Sequence, residues 1–117
     1  MLTVIGDLLA DIVVLGASAL ERGTDNPVTI THTRGGSAAN VAAVAASAEA
    51  VRFIGRVGSD AEGEALVHEL ERSGAEVFVQ RAGRTGSIVI LVDELGERTM
   101  LTDRGAAAEL EAIDPAW

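Results

Sequence analysis

The sequence predicts an α/β fold, and three observations carry that expectation. Short β-branched runs alternate with helix-forming stretches, the pattern of sheet and helix layers. The runs stop at glycines or at clusters of turn residues. Hydrophobic residues make up 48% of the 117 positions, enough to bury a core. Small side chains carry much of that figure, since aromatics are only 3%. An alanine-rich apolar set lets elements approach closely but buries little area per residue.

Leu2–Ile5 is an apolar, extended run that ends at Gly6, and Ile12–Leu15 is a second one. The polar break between them reads either as a bend in one buried strand or as a boundary between two strands. Glu21–Pro27 is a loop by its turn residues. Val28–Thr33 alternates apolar and polar residues, which predicts a half-exposed strand with Val28 and Ile30 on one face. Gly35-Gly36 breaks the chain, Ser37 can cap a helix through its hydroxyl, and Ala38–Ala48 is rich in the best helix former.

Val51–Val57 is a strand. Ser59-Asp60-Ala61-Glu62 has capping-box spacing and opens a helix to about Ser73, with Ala65, Leu66, Val67 and Leu70 as its apolar stripe. Gly74 is a natural C′ residue, and Glu76–Gln80 is a short strand. Ser87–Val92 and Arg98–Thr102 flank the turn Asp93–Glu97 and read as a hairpin. Ala106–Ala112 is helical or irregular. Asp114-Pro115 is a helix-start signal, and the chain stops at Trp117. A helix start without its helix leads to the expectation that the chain is a truncated piece.

A net charge of −9 argues against nucleic acid and anionic membrane as partners, because both favour a basic surface. The absence of cysteine excludes disulfides and thiolate metal sites. There is no basic segment followed by a cleavable apolar stretch at the start. No apolar run reaches membrane-spanning length, since Asp7 and Asp11 interrupt one and Glu49 and Arg52 another. These features lead to the expectation of a soluble cytoplasmic protein.

The strongest local feature is Gly35-Gly36-Ser37-Ala38-Ala39-Asn40-Val41-Ala42. Two glycines let the backbone approach a ligand, and the following helix presents free N–H groups and the positive end of its dipole. Asn40 adds an amide that both donates and accepts. Such a site suits a hydroxyl-rich or weakly anionic small molecule; the plainer reading is a helix start with an exposed Asn40. No Gly-Lys-Ser/Thr and no Gly-x-Gly-x-x-Gly occurs there, which removes the phosphate-loop and dinucleotide motifs. Asp11 follows a strand end, where α/β folds place ligands, and its carboxylate can accept two hydroxyl hydrogen bonds; the plainer reading is a turn aspartate. Asp7 shares that ambiguity. His32 and His68 have no companion at metal-ligand spacing, and no metal site is assigned.

In their order along the chain these segments resemble the N-terminal portion of the pfkB family, the ribokinase-like carbohydrate kinases. The opening Gly-Asp-x-x-x-Asp (Gly6, Asp7, Asp11) is followed by Gly-Gly-Ser-Ala-Ala-Asn (35–40). Phe53-Ile54-Gly55-Arg56-Val57-Gly58-Ser59-Asp60-Ala61-Glu62-Gly63 and the Gly74-Ala75-Glu76-Val77 exit come next, and Thr85-Gly86-Ser87 opens the hairpin. The resemblance covers nearly the whole chain, and the pairing of the 35–42 and 53–63 motifs is far more specific than either alone.

The resemblance implies a Rossmann-type α/β core, here residues 1–117 of a ribokinase-like kinase domain, with a small β-sheet lid drawn roughly from 15–33 and 85–102. It implies that Asp11, Gly36 and Asn40 bind sugar hydroxyls and that Gly35 forms the backbone turn beside them. Leu9 and Ser37 depart from the ribokinase pattern, which has Asn and Lys at those places and therefore counts against ribose. Arg104 has two readings, a partner for an acidic substrate group or an exposed loop arginine.

The family's Gly-Ala-Gly-Asp motif, which supplies an anion hole and a catalytic Asp, does not occur in the chain. No catalytic residue is therefore assigned. The resemblance implies ATP and Mg2+ for the full-length kinase and assigns neither to residues of this chain, which alone is expected to be inactive. It also implies a homodimer through the lid strands. Two further readings are a stand-alone sugar-binding or regulatory module without catalysis and a generic nucleotide binder, the latter disfavoured by the missing phosphate motif.

Overall fold

The computed structural model describes residues 1–17 and 19–117. Ser18, inside the 15–33 segment, lies outside the described residues. Seven strands and two α-helices follow in order: β1 (Leu2–Ile5), β2 (Leu9–Leu15), β3 (Thr29–Gly35), α1 (Ser37–Ala45), β4 (Val51–Val57), α2 (Ala61–Arg72), β5 (Glu76–Arg81), β6 (Thr85–Val92) and β7 (Arg98–Gly105). A short 3₁₀ turn, Ala106–Glu109, follows β7.

The strands form two sheets. One is parallel, in the order β1-β4-β5, and the other is four-stranded, in the order β3-β2-β6-β7. The break at Gly6–Leu8 thus separates two strands of different sheets, which decides between the two readings of residues 2–15. β2 pairs antiparallel with β3 (Asp11 opposite Thr33) and parallel with β6 (Asp11 opposite Ile88), and β6 pairs antiparallel with β7 (Ile88 opposite Thr102).

The parallel sheet carries the core. β4 lies between two neighbours and is buried almost throughout, so it reads as a continuous apolar run. Phe53, Val57, Leu70 and Leu8 are each fully buried there. On α1, Ala39 and Ala42 are the buried residues, and their methyl groups allow the close helix–sheet approach that the composition implies. On α2 the buried residues are Gly63, Leu66, Val67 and Leu70, a stripe at helical spacing. Ala65 is exposed and Gly63 takes its expected place.

Several local expectations shift. Gly36, not Ser37, is the N-cap of α1, and no side chain caps it. The helix ends at Ala45, short of Ala48. Ser47 bonds back to the Val44 carbonyl through its N–H and its hydroxyl, and the Ala48 N–H bonds to Ala45, so i→i−3 contacts tighten the last turn. At α2 the cap is Asp60 rather than Ser59, with Oδ1 accepting from the Gly63 N–H at 2.8 Å. Ser59 instead donates its N–H to the Gly83 carbonyl. β3 is not half-buried: six of its seven residues are exposed or intermediate, and Ile30 is 56% exposed, because β3 is an edge strand of the second sheet. Asp114-Pro115 forms a turn closed by the Ala116 and Trp117 N–H groups, and Trp117 packs on Phe78 with ring centroids 5.7 Å apart.

Candidate functional site

The four-stranded sheet joins the parallel layer at one end only. Leu9 and Gly35 are paired there, as are Thr85 and Gly105. The connections through Gly6–Leu8, Gly36, Ala82–Arg84 and the 3₁₀ turn all leave from that end. Between the sheet and the N-terminus of α1 lies a cavity of about 400 Å3. β2 contributes Leu9 and Asp11, and the β1–β2 connection contributes Asp7. Gly36, Ser37 and Asn40 come from the start of α1. Ile88 and Ile90 of β6 and Arg98, Met100, Thr102 and Arg104 of β7 complete the wall. The β7 residues recur every second position, as one face of a strand must.

Asp11 and the motif residues Gly36 and Asn40, 25 or more positions further along the chain, thus line one cavity. Asp11 carries its least satisfied atom: Oδ1 is buried and has no hydrogen-bond partner. A buried acceptor left without a partner costs free energy. Burial raises the Asp11 pKa, and the nearby Arg34 charge opposes that rise. Gly35 does not line the cavity but lies against Asp11: a Cβ at Gly35 would overlap the Asp11 carboxylate. Gly36 has φ of +97°, and an added Cβ would also run into the Asp7 carbonyl. Both glycines are therefore demanded by close approach, one behind the carboxylate and one at the helix entry.

Asn40 accepts a hydrogen bond at Oδ1 from Arg34 Nη1 at 3.1 Å, so its amide nitrogen is the donor left for a ligand. Asp7 and Arg104 form a bidentate pair, Nε to Oδ2 and Nη2 to Oδ1, both at 2.8 Å. The Arg104 pKa is raised by that hydrogen bond and by the Asp7 charge. This pair spans 97 residues of sequence, so no local pattern reveals it. Leu9 is buried and Ser37 exposed, and both line the cavity. Of the lining residues of β6 and β7 the sequence singles out Arg104 alone, although the alternation from Arg98 to Arg104 is a signal that can find its β7 neighbours. His32 is exposed, and His68 is exposed beside Glu71 at 3.2 Å.

A second polar cluster lies between α2 and β6. Asp60 accepts from the Thr85 hydroxyl and, at 2.8 Å, from the Thr85 N–H, while the Thr85 hydroxyl oxygen accepts from the Gly58 N–H at 3.0 Å. Thr85 is 2% exposed. These bonds tie α2 to the first residue of β6. They lower the Asp60 pKa, chiefly through the Thr85 hydroxyl, then its N–H.

A parallel layer whose strand ends open under a second sheet, with a polar cavity between, defines an α/β protein of ribokinase-like fold. Fructokinase of Halothermothrix orenii superposes with a TM-score of 0.80 at 23% identity, over 97% of this chain and 41% of that one. Arabidopsis thaliana ribokinase, solved with ribose and ATP, superposes at 0.76 with 28% identity, over 90% of this chain and 36% of that one. The pfkB family carbohydrate kinases match residues 1–115, and the chain belongs to that family.

Among curated proteins, a sugar kinase of Archaeoglobus fulgidus is 51% identical over 55 residues, which are 45% of this chain and 22% of that protein. The ATP-dependent ribose-1-phosphate kinase of Halopiger xanaduensis is 40% identical over 85 residues, 69% of this chain and 28% of its own length. A Klebsiella pneumoniae fructokinase is 37% identical over 90 residues, 74% of this chain and 29% of its own. The chain therefore spans less than a third of the curated relatives it matches.

Proposed function

We propose that this chain is the substrate-binding front portion of an ATP-dependent carbohydrate kinase, whose whole protein moves the γ-phosphate of ATP to a sugar hydroxyl. The observation that carries the reading is Asp11 on the wall of a polar cavity, a carboxylate with no hydrogen-bond partner at its buried Oδ1. In this reading Asp11 accepts from sugar hydroxyls, Asn40 donates to one, and Gly36 lets the sugar reach the α1 N-terminus. Gly35 keeps Asp11 in place from behind. The four-stranded sheet acts as the lid.

In this reading no residue of this chain is assigned to Mg2+ or ATP. No three His, Asp or Glu side chains converge among the described residues, and no Lys-Ser/Thr follows the glycine pair. Both are assigned to the whole kinase, together with the catalytic Asp and anion hole of the missing Gly-Ala-Gly-Asp motif. The 117-residue chain alone is accordingly inactive in phosphate transfer. No described helix is long and apolar enough to cross a membrane; a cytoplasmic location is part of the proposed reading. Self-association through the free edges of β3 and β7 is the partner expected for the isolated chain.

The test is calorimetric titration of the chain with a panel of pentoses and hexoses, paired with an ATP-dependent phosphorylation assay. Binding that Asp11→Ala weakens roughly 10- to 100-fold, with no phosphate transfer, is the expected result. Phosphorylation of a sugar by the purified chain, abolished by Asp11→Ala, would overturn the inactivity. A reading frame that ends at Trp117, with sugar binding intact, would favour the stand-alone module.

A further inference from the structure

We propose that the cavity takes a sugar bearing an anionic substituent, a phosphate or a carboxylate, with Arg98 as its counter-ion. This rests on the sugar-site reading above and names the substrate class of the same site.

The cavity wall holds four charged side chains, Asp7, Asp11, Arg98 and Arg104. Asp7 and Arg104 neutralise one another in a bidentate pair. Arg34, just outside the wall, is engaged with Asn40. Arg98 makes no hydrogen bond or ion pair through its side chain among the described residues. Asp11 and Arg98 are thus the two charges left for a ligand, and they sit apart. Asp11 shares a cross-strand row with Ile88 and Thr102. Arg98 lies four residues further along β7, about 13 Å at strand rise. A sugar held at Asp11 by its hydroxyls, with a substituent directed along β7, meets the guanidinium at the other end.

The rest of the molecule sharpens this. A net charge of −9 repels anionic ligands at long range, so only a local cation admits one. A neutral sugar would leave that cation without a role in binding. A planar guanidinium suits both candidates, because it binds carboxylate and phosphate oxygens two at a time.

The probes are matched pairs titrated into the 117-residue chain: fructose with fructose 6-phosphate, ribose with ribose 1-phosphate, and glucose with gluconate, with inorganic phosphate as control. At least one anionic member binds about 10-fold or more tightly than its neutral parent, the strength of a charge-assisted pair. Arg98→Gln removes that margin by weakening the anionic member more than its neutral parent, and Arg98→Lys retains part of it. The pair that shows the margin separates phosphate from carboxylate. Equal binding of neutral and anionic members, or a margin that survives Arg98→Gln, overturns the proposal while the sugar site stands. Inorganic phosphate binding as tightly as the sugar phosphate, and equally lost in Arg98→Gln, overturns it as well. If no sugar of either kind binds, the sugar-site reading fails and this proposal with it. Arg98 is exposed, so a matched melting temperature verifies that its variants fold.

Discussion

In the proposed reading, the Asp11 carboxylate both holds sugar hydroxyls and destabilises the fold. Its pKa is raised by burial, so between the ordinary 3.8 and the raised folded value the native state holds more protons than the unfolded chain. Its contribution to stability therefore falls as pH rises through that window, and at neutral pH the ionised carboxylate costs stability. Asp11→Asn is expected to raise the melting temperature at pH 7, to lose that advantage below pH 3.8, and to weaken sugar binding. Thermal melts across pH, run beside titration calorimetry, check the three together. Sugar binding by the unaltered chain should fall as pH drops through the raised Asp11 pKa. Gly35→Ala is a complementary probe: its methyl overlaps the carboxylate, so it should lower sugar affinity without removing any ligand contact.

At the scale of elements, the Asp60 cluster joins the two sheets. Asp60→Ala removes the α2 cap and both Thr85 bonds, and about 2 kcal/mol of stability is expected to go with them by denaturant titration. Because the Asp60 pKa is lowered on folding, its contribution is present above the unfolded value of 3.8 and is lost as pH falls through the folded one. The acid limb of the stability profile should flatten in Asp60→Asn. How far the sequence revealed these elements follows from the range of the forces involved. β4, α2 and β6 were legible because burial and periodicity act within the element. The Asp11, Gly36 and Asn40 cluster was legible through linked local motifs. The cap falls on Asp60, one residue past Ser59, because both residue types can cap a helix and the bonds that also hold Asp60 come from Thr85, 25 positions away. The Asp7–Arg104 pair and the sheet change between β1 and β2 depend wholly on tertiary contact.

At the scale of the molecule, the parallel sheet has three strands among the described residues and β1, paired there with β4, is one of its edges. Outside the core, Val41 and Val44 of α1 are 53% and 74% exposed. Exposed apolar side chains of this kind promote association. Val44→Glu, which touches nothing in the core, is expected to reduce concentration-dependent aggregation in sedimentation runs while leaving sugar affinity unchanged. The second sheet has a mechanical character that follows from its attachment at one end. It is a cantilever clamped at Leu9, Gly35, Thr85 and Gly105, with its tip at Leu15 and Arg98. Six residues from clamp to tip give a beam of about 20 Å. A tilt of about 10° at the clamp swings the tip by roughly 3.5 Å, whereas Asp11, about 7 Å out, moves near 1 Å. Sugar hydroxyls would meet a nearly fixed post and the substituent a compliant one, a division that leaves tolerance in the substrate's tail and little in its ring.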